Sequence, residues 1–124
     1  MNCGYPIPVL RSFDEERTKA FYRDFLGFEV VFEHRFEPDL PLYMGLKLGD
    51  CALHVSEHYG DATPGSAIRI PVDDVAGYAN DLRAKQYGNA RPGKPKQSPW
   101  GTQELTIIDP AGNRLIFYSD KAEQ

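Results

Sequence analysis

The sequence is poor in the residues that carry specialised chemistry. Cysteine occurs twice, as Cys3 and Cys51, with no Cys-x-x-Cys and no metal-binding spacing. Two reduced, structural thiols in a cytosolic protein is the reading this usage favours. Cys51 has no basic neighbour in sequence to lower its pKa. No basic run or stripe is present, so the footprint of a nucleic-acid binder is missing. No apolar stretch approaches the length of a membrane span. The segment Met1 to Tyr5 lacks a charged region followed by an apolar one, so no secretory leader is expected and the cytoplasm is the expected compartment. There is no Gly-x-Ser-x-Gly elbow for a nucleophile. Gly45, Gly49 and Gly60 are too scattered for a phosphate loop or a dinucleotide fingerprint. Tryptophan occurs once, as Trp100.

What is present fits one ordinary domain. The 124 residues leave little room for two domains. A chain of this length buries roughly two-thirds of its unfolded surface, enough for a core without staples. Apolar residues make up 41% and recur along the whole length, which excludes disorder. The net charge of -4 serves solubility first, and secondarily favours cationic small ligands.

The order of predicted elements repeats. Tyr5 to Leu10 is apolar, but Pro6 and Pro8 confine it to a sheet edge or a subunit boundary. Ser12-Phe13-Asp14-Glu15 reads as a capping box, with Ser12 as N-cap. A helix follows from about Phe13 to Leu26, with Ala20, Phe21, Phe25 and Leu26 on one face and Gly27 as its left-handed stop. Phe28 to Phe36 reads as a strand with Phe28, Val30, Phe32, His34 and Phe36 on one face. Leu42 to Leu48 and Cys51 to Glu57 form a hairpin about Gly49-Asp50. After a linker from His58 to Gly65 the pattern restarts. Ser66 to Val72 is a strand, and Asp73-Asp74 caps a helix bearing Val75, Tyr78, Ala79 and Leu82, with Gly88 placed to end it. A loop runs from Asn89 to Pro99, and Gln103–Ile108 and Leu115–Ser119 form a closing hairpin around Asp109-Pro110-Ala111-Gly112-Asn113. The class is α+β: two modules, about residues 5–60 and 66–119, whose sheets curve around a shared pocket.

Few residues are placed to carry chemistry. His54 sits mid-strand between Ala52 and Ser56 by alternation, as a hydrogen-bonded histidine in or near a pocket rather than a metal ligand. His34 either lines that pocket or lies on a wet rim. Phe32, Phe36, Tyr43 and Trp100 exceed what a core this size absorbs. Trp100, between Pro99 and Gly101, is either a plug of the domain or a dimer interface, or a stacking platform for a planar ligand. Carboxylates neighbour these rings: Glu33, Glu37, Asp39, Glu57, Asp61 and Glu104. Most read as solvated charges, and two or three at a pocket mouth would favour a cation.

Three segments resemble the bleomycin-resistance proteins of the vicinal-oxygen-chelate, or glyoxalase-like, superfamily. They are Ile7-Pro8-Val9-Leu10 with Phe21-Tyr22 and Leu26-Gly27-Phe28; Ile70-Pro71-Val72-Asp73-Asp74; and Pro99-Trp100-Gly101 with Asp109-Pro110-Ala111-Gly112-Asn113 and Phe117. The third is the most specific. The resemblance implies two βαβββ modules per chain, and a homodimer with two ligand pockets at its interface. It also implies an N-terminal strand that can swap between subunits, with Pro8 at the crossing. In the resistance proteins the pocket sequesters a bulky, cationic, planar-ringed glycopeptide without chemical change. The metal-dependent members carry His or Glu at four strand positions, which align with Ile7, His54, Ala67 and Ile116. Three of these four cannot bind a metal.

The expectation is therefore a non-enzymatic antibiotic binder with no cofactor, metal, nucleic acid or membrane partner. Its ligand-binding residues would be Phe32, His34, Phe36, Tyr43, His54, Glu57, Trp100, Gly101 and Glu104. The competing readings are a metal-dependent glyoxalase- or dioxygenase-like enzyme of the same fold, and a binder of another small molecule.

Overall fold

The structure is a computed structural model, and it describes residues 1–87 and 92–120. Two four-stranded sheets have the same connectivity. In the first, β1 (Val9–Arg11) is followed by the helix α1 (Glu15–Lys19), then β2 (Glu29–His34), β3 (Tyr43–Leu48) and β4 (Cys51–Ser56), in the order β1-β4-β3-β2. In the second, β5 (Ala67–Pro71) is followed by α2 (Val75–Ala84), β6 (Lys96–Gln97), β7 (Thr102–Ile108) and β8 (Arg114–Asp120), in the order β5-β8-β7-β6. In each sheet the first strand runs parallel to the last, and the other pairs are antiparallel. This is the α+β arrangement that the repeated pattern predicts.

Alternation explains how each sheet is covered. Met44, Leu46, Leu53 and Val55 of the first sheet, and Leu105, Ile107, Leu115 and Phe117 of the second, are buried. They join Phe21, Tyr22, Phe25 and Leu26 of the first helical segment and Val75, Ala79 and Leu82 of α2 in one continuous core. Each fully buried side chain of this size contributes about 1.5–3 kcal/mol. The opposite faces of both sheets carry the residues left over, among them Tyr43, Gly45 and His54 in the first and Ala67, Arg69, Glu104, Ile116 and Tyr118 in the second. No helix among the described residues is long and apolar enough to cross a membrane.

Several local expectations are corrected. The cap of α1 is Asp14, not Ser12: the Asp14 carboxylate accepts from Arg17 N at 2.9 Å. Ser12 is buried, and its N–H extends the β1–β4 pairing to the Ser56 carbonyl. The helix does not run to Leu26 as a regular α-helix. It widens to a π-helix over Ala20–Phe25, where Leu26 N donates to the Phe21 carbonyl five residues back. The first strand begins only at Val9: Pro6 lies before it, and Pro8, which has no N–H to give, contributes its carbonyl alone, accepting from His54 N at 2.9 Å. The proline-rich loop before Trp100 contains the short strand β6, which pairs with β7 through Lys96–Glu104 and Gln97–Gln103. Gly88 and residues 89–91 lie outside the described residues; Gln86 takes the left-handed backbone after α2, at φ 51°. Gly27, at φ 94°, closes the first helical segment as expected.

The largest departure is in β2. Val30 pairs with Leu46, but Phe32 pairs with Gly45, so Val31 is an extra residue in a β-bulge. The predicted common face of Phe28, Val30, Phe32, His34 and Phe36 is therefore split. Phe28 and Val30 pack on the core, whereas Phe32 and His34 pass to the opposite face with Tyr43 and Gly45.

Candidate functional site

On the outer face of the first sheet, the bulge delivers Phe32 directly over Gly45. Only a residue without a side chain fits there, because a Cβ on Gly45 would collide with the Phe32 ring. Phe32 stacks on Tyr43 with centroids 6.1 Å apart and planes 15° apart, and meets His54 edge-on at 5.1 Å. The Tyr43 hydroxyl and His54 Nδ1 are hydrogen-bonded at 2.7 Å. Partial burial, then the charge of Asp61, pushes the Tyr43 phenol above its ordinary pKa, so it is the protonated hydroxyl that meets the imidazole. Beside this trio, His34 packs edge-on against Phe36 at 4.8 Å, and Phe36 against His58 at 6.0 Å. Phe36 remains 72% exposed. These contacts form an aromatic wall with its rings open to solvent.

The outer face of the second sheet carries a separate wall. The turn between β6 and β7 is fixed by Ser98 N donating to the Thr102 carbonyl at 2.8 Å, Thr102 N donating to Ser98 Oγ at 2.9 Å, and left-handed Gly101 at φ 94°. Trp100 rides on its tip, 67% exposed, and its indole Nε1 donates to Glu104 Oε2 at 3.0 Å. Thr102 Oγ1 donates to the same oxygen at 2.7 Å. Arg69 donates through both terminal nitrogens, at 3.2 and 2.8 Å to Oε1 and Oε2. Its guanidinium lies over the Tyr118 ring at 4.6 Å. Arg69 first, then the Thr102 hydroxyl and the Trp100 indole, hold the Glu104 carboxyl at about 2. A groove of about 480 Å³ runs beside Trp100, lined by Lys94, Lys96, Pro99, Glu104 and Thr106.

Of the residues singled out from sequence, Phe32, Tyr43 and His54 are in mutual contact, as are His34 and Phe36, and Trp100 with Glu104. Among the described residues, no aromatic pair or hydrogen bond joins the first wall to the second. Glu57 holds a loop: its Oε1 accepts from Leu42 N at 3.1 Å, and its own N–H donates to the Leu42 carbonyl. Sequence reading did not single out Arg69, Thr102, Tyr118, His58 or Gly45. Arg69 is 35 residues from Glu104 and no local signal links them. Thr102 lies two positions before Glu104 and so on its face, and a glycine between Met44 and Leu46 in a strand signals a close approach; both were available to pattern reasoning.

The four positions aligned with metal ligands do not assemble a donor set. Ile7, Ala67 and Ile116 present only carbon, so His54, whose Nδ1 is bonded to Tyr43, is the one of the four with a donor atom. Among the described residues there is no group of three His, Cys, Asp or Glu side chains that could hold a metal ion.

The chain is similar over nearly its full length to two solved structures at 25% identity. One is a bleomycin-binding protein complexed with bleomycin, with a TM-score of 0.72 over 96% of this chain and 100% of the other. The second is a bleomycin resistance determinant encoded on transposon Tn5, with a TM-score of 0.74 over 97% and 100%. A lactoylglutathione lyase from Agrobacterium tumefaciens shares the fold at 20% identity, with a TM-score of 0.72 over 95% of each chain. No curated protein matches the chain significantly. The family profile described as glyoxalase superfamily protein matches residues 3–124. The duplicated sheet order, the sequence motifs and that match agree, and the chain belongs to the glyoxalase superfamily.

Proposed function

We propose that this protein binds and sequesters a planar-ringed small molecule without changing it, and that a bleomycin-class cationic glycopeptide is the ligand. The observation that carries this reading is the pairing of exposed aromatic walls with apolar residues at the metal positions. Ile7, Ala67 and Ile116 cannot act as Lewis bases, while Phe32, Phe36 and Trp100 offer open ring faces. Stacking on such rings contributes about 0.5–1.5 kcal/mol beyond burial. The similarity to two bleomycin-related structures supports the choice of ligand.

A homodimer completes the site in this proposal. Each wall lies on the open face of its own sheet, so a second protomer supplies the opposing surface, with the segment at Pro8 as the place where chains cross. Attraction of a cation comes from the net charge of -4 and from exposed Glu37 and Asp39. Glu57 and Glu104 are already engaged within the chain.

Bleomycin titrated against the intrinsic fluorescence of Trp100 tests the proposal. Quenching should saturate at micromolar drug, and Trp100→Ala should weaken binding, followed calorimetrically, by about 1–3 kcal/mol. Absence of any response from folded protein at micromolar drug would sink it. The alternative, a metal-dependent enzyme, would be favoured by stoichiometric zinc, nickel, manganese or iron in the purified protein.

A further inference from the structure

We propose that Glu104 is a positioning residue: backed by Arg69, its carboxylate fixes the Trp100 indole as a preset stacking surface, and it serves ligand affinity through that ring rather than through its own charge. The binding consequence rests on the reading of Trp100 as a ligand wall; the positioning itself does not.

The geometry of the carboxylate carries the inference. Glu104 Oε2 accepts from Trp100 Nε1, Thr102 Oγ1 and Arg69, and Oε1 accepts from Arg69 as well. Three of the four donors share Oε2, which is fully engaged, while Oε1 accepts from Arg69 alone. Its charge is also compensated, because Arg69 forms an ion pair with it at 2.8 Å. A cationic ligand arriving here meets a carboxylate already paired with a guanidinium rather than a free anion.

The same contacts restrain the tryptophan. A side chain at a turn tip, two-thirds exposed, has little packing around its ring to fix a rotamer. Among the described residues, the Nε1–Oε2 bond is the hydrogen bond that restrains it. Glu104 is itself held, since Arg69 reaches from β5 across β8 and rests on Tyr118, the register partner of Glu104. The restraint thus passes from the sheet through Tyr118, Arg69 and Glu104 to the ring. Immobilising a side chain before binding lowers the ordering cost paid on association.

Trp100 is the sole tryptophan, so its fluorescence reads this directly. In ligand-free protein, Glu104→Ala should lower the steady-state anisotropy of Trp100 and shift its emission, while Glu104→Gln, which keeps an acceptor oxygen, should fall between the two. Thermal melts check that each variant is folded, and Glu104→Gln serves alone if the alanine variant is not. Unchanged anisotropy and emission in a folded Glu104 variant would overturn the positioning role. With bleomycin as the probe, calorimetry should show Glu104→Ala raising Kd about tenfold in the native background and less than about twofold in the Trp100→Ala background. An equal loss in both backgrounds would overturn the inference and make Glu104 a direct anionic anchor. If bleomycin does not bind the native protein, the functional proposal fails while the anisotropy comparison still decides this one.

Discussion

At the scale of single residues, Glu104 has a testable acid–base signature. Its folded pKa of about 2 lies below the ordinary 4.5, because Arg69 and then Thr102 favour the ionised form. The sign follows by linkage: the contribution to stability is fully present above the ordinary carboxylate value, and is lost as pH falls toward about 2. Trp100 emission should therefore stay constant through pH 4–5, with far-ultraviolet circular dichroism confirming the fold. An emission change centred on pH 4–5 in folded protein would show that the carboxylate is not held as described. Trp100 was legible in sequence as a ring in a loop, between Pro99 and Gly101, and its 67% exposure favours a platform over a plug of its own domain. Its support was not, since Arg69 is brought to Glu104 by strand pairing that spans 35 residues.

At the scale of elements, the turn chemistry was the most legible part. Gly27, Gly49 and Gly112 all have positive φ, where glycine alone costs nothing. The π-helical turn and the bulge were not legible, because both insert a residue into a regular period that the side chains otherwise follow. The bulge makes a specific prediction. Deleting Val31 places Phe32 directly after Val30, opposite Gly45 as before, and leaves an unbroken ladder. The variant should stay folded, with stability changed by about 1 kcal/mol and the aromatic wall intact. Had Phe32 shared the face of Val30, the same deletion would flip Phe32 and His34 to the other side of the sheet and, on the proposed function, abolish bleomycin binding. Thermal melts and bleomycin affinity together separate the two outcomes.

At the scale of the whole molecule, the repeat was legible as two rounds of strand, helix and strands, and the sheet orders bear it out. What joins the rounds was not. The closing motif from Asp109 to Asn113 reads in sequence as a turn that folds the last strands back, but in the structure it also bridges the two sheets' modules. Asp109 Oδ2 accepts from the buried Tyr22 hydroxyl at 2.5 Å, and Asn113 Nδ2 donates to the Arg11 carbonyl at 2.9 Å. Burial, then the Asp109 charge, pushes the Tyr22 phenol far above its ordinary value, so it remains a donor at any working pH. Tyr78 and Lys85 of the second half add bonds to the carbonyls of Leu26 and Phe25. Asp109→Ala leaves several buried donors without partners, at about 1–3 kcal/mol each where water cannot reach them. It should lower stability by roughly 3 kcal/mol by denaturant unfolding, with the denaturant dependence unchanged. Unfolding should remain one transition by calorimetry; two resolved transitions would show independent halves.

The Tyr22–Asp109 and Arg11–Asn113 bonds also bear on divisibility. Cutting the chain in the 58–65 linker yields two pieces, each a complete round of the repeat. Each piece nevertheless keeps only one member of every cross-bond: the first retains the Tyr22 hydroxyl and the Arg11 carbonyl, and the second the Asp109 carboxylate and the Asn113 amide. Neither fragment satisfies its buried polar groups, and each exposes its share of a core that was continuous. The two pieces are thus complements rather than duplicates: mixing them should restore native circular dichroism, and either one alone at the same total concentration should not.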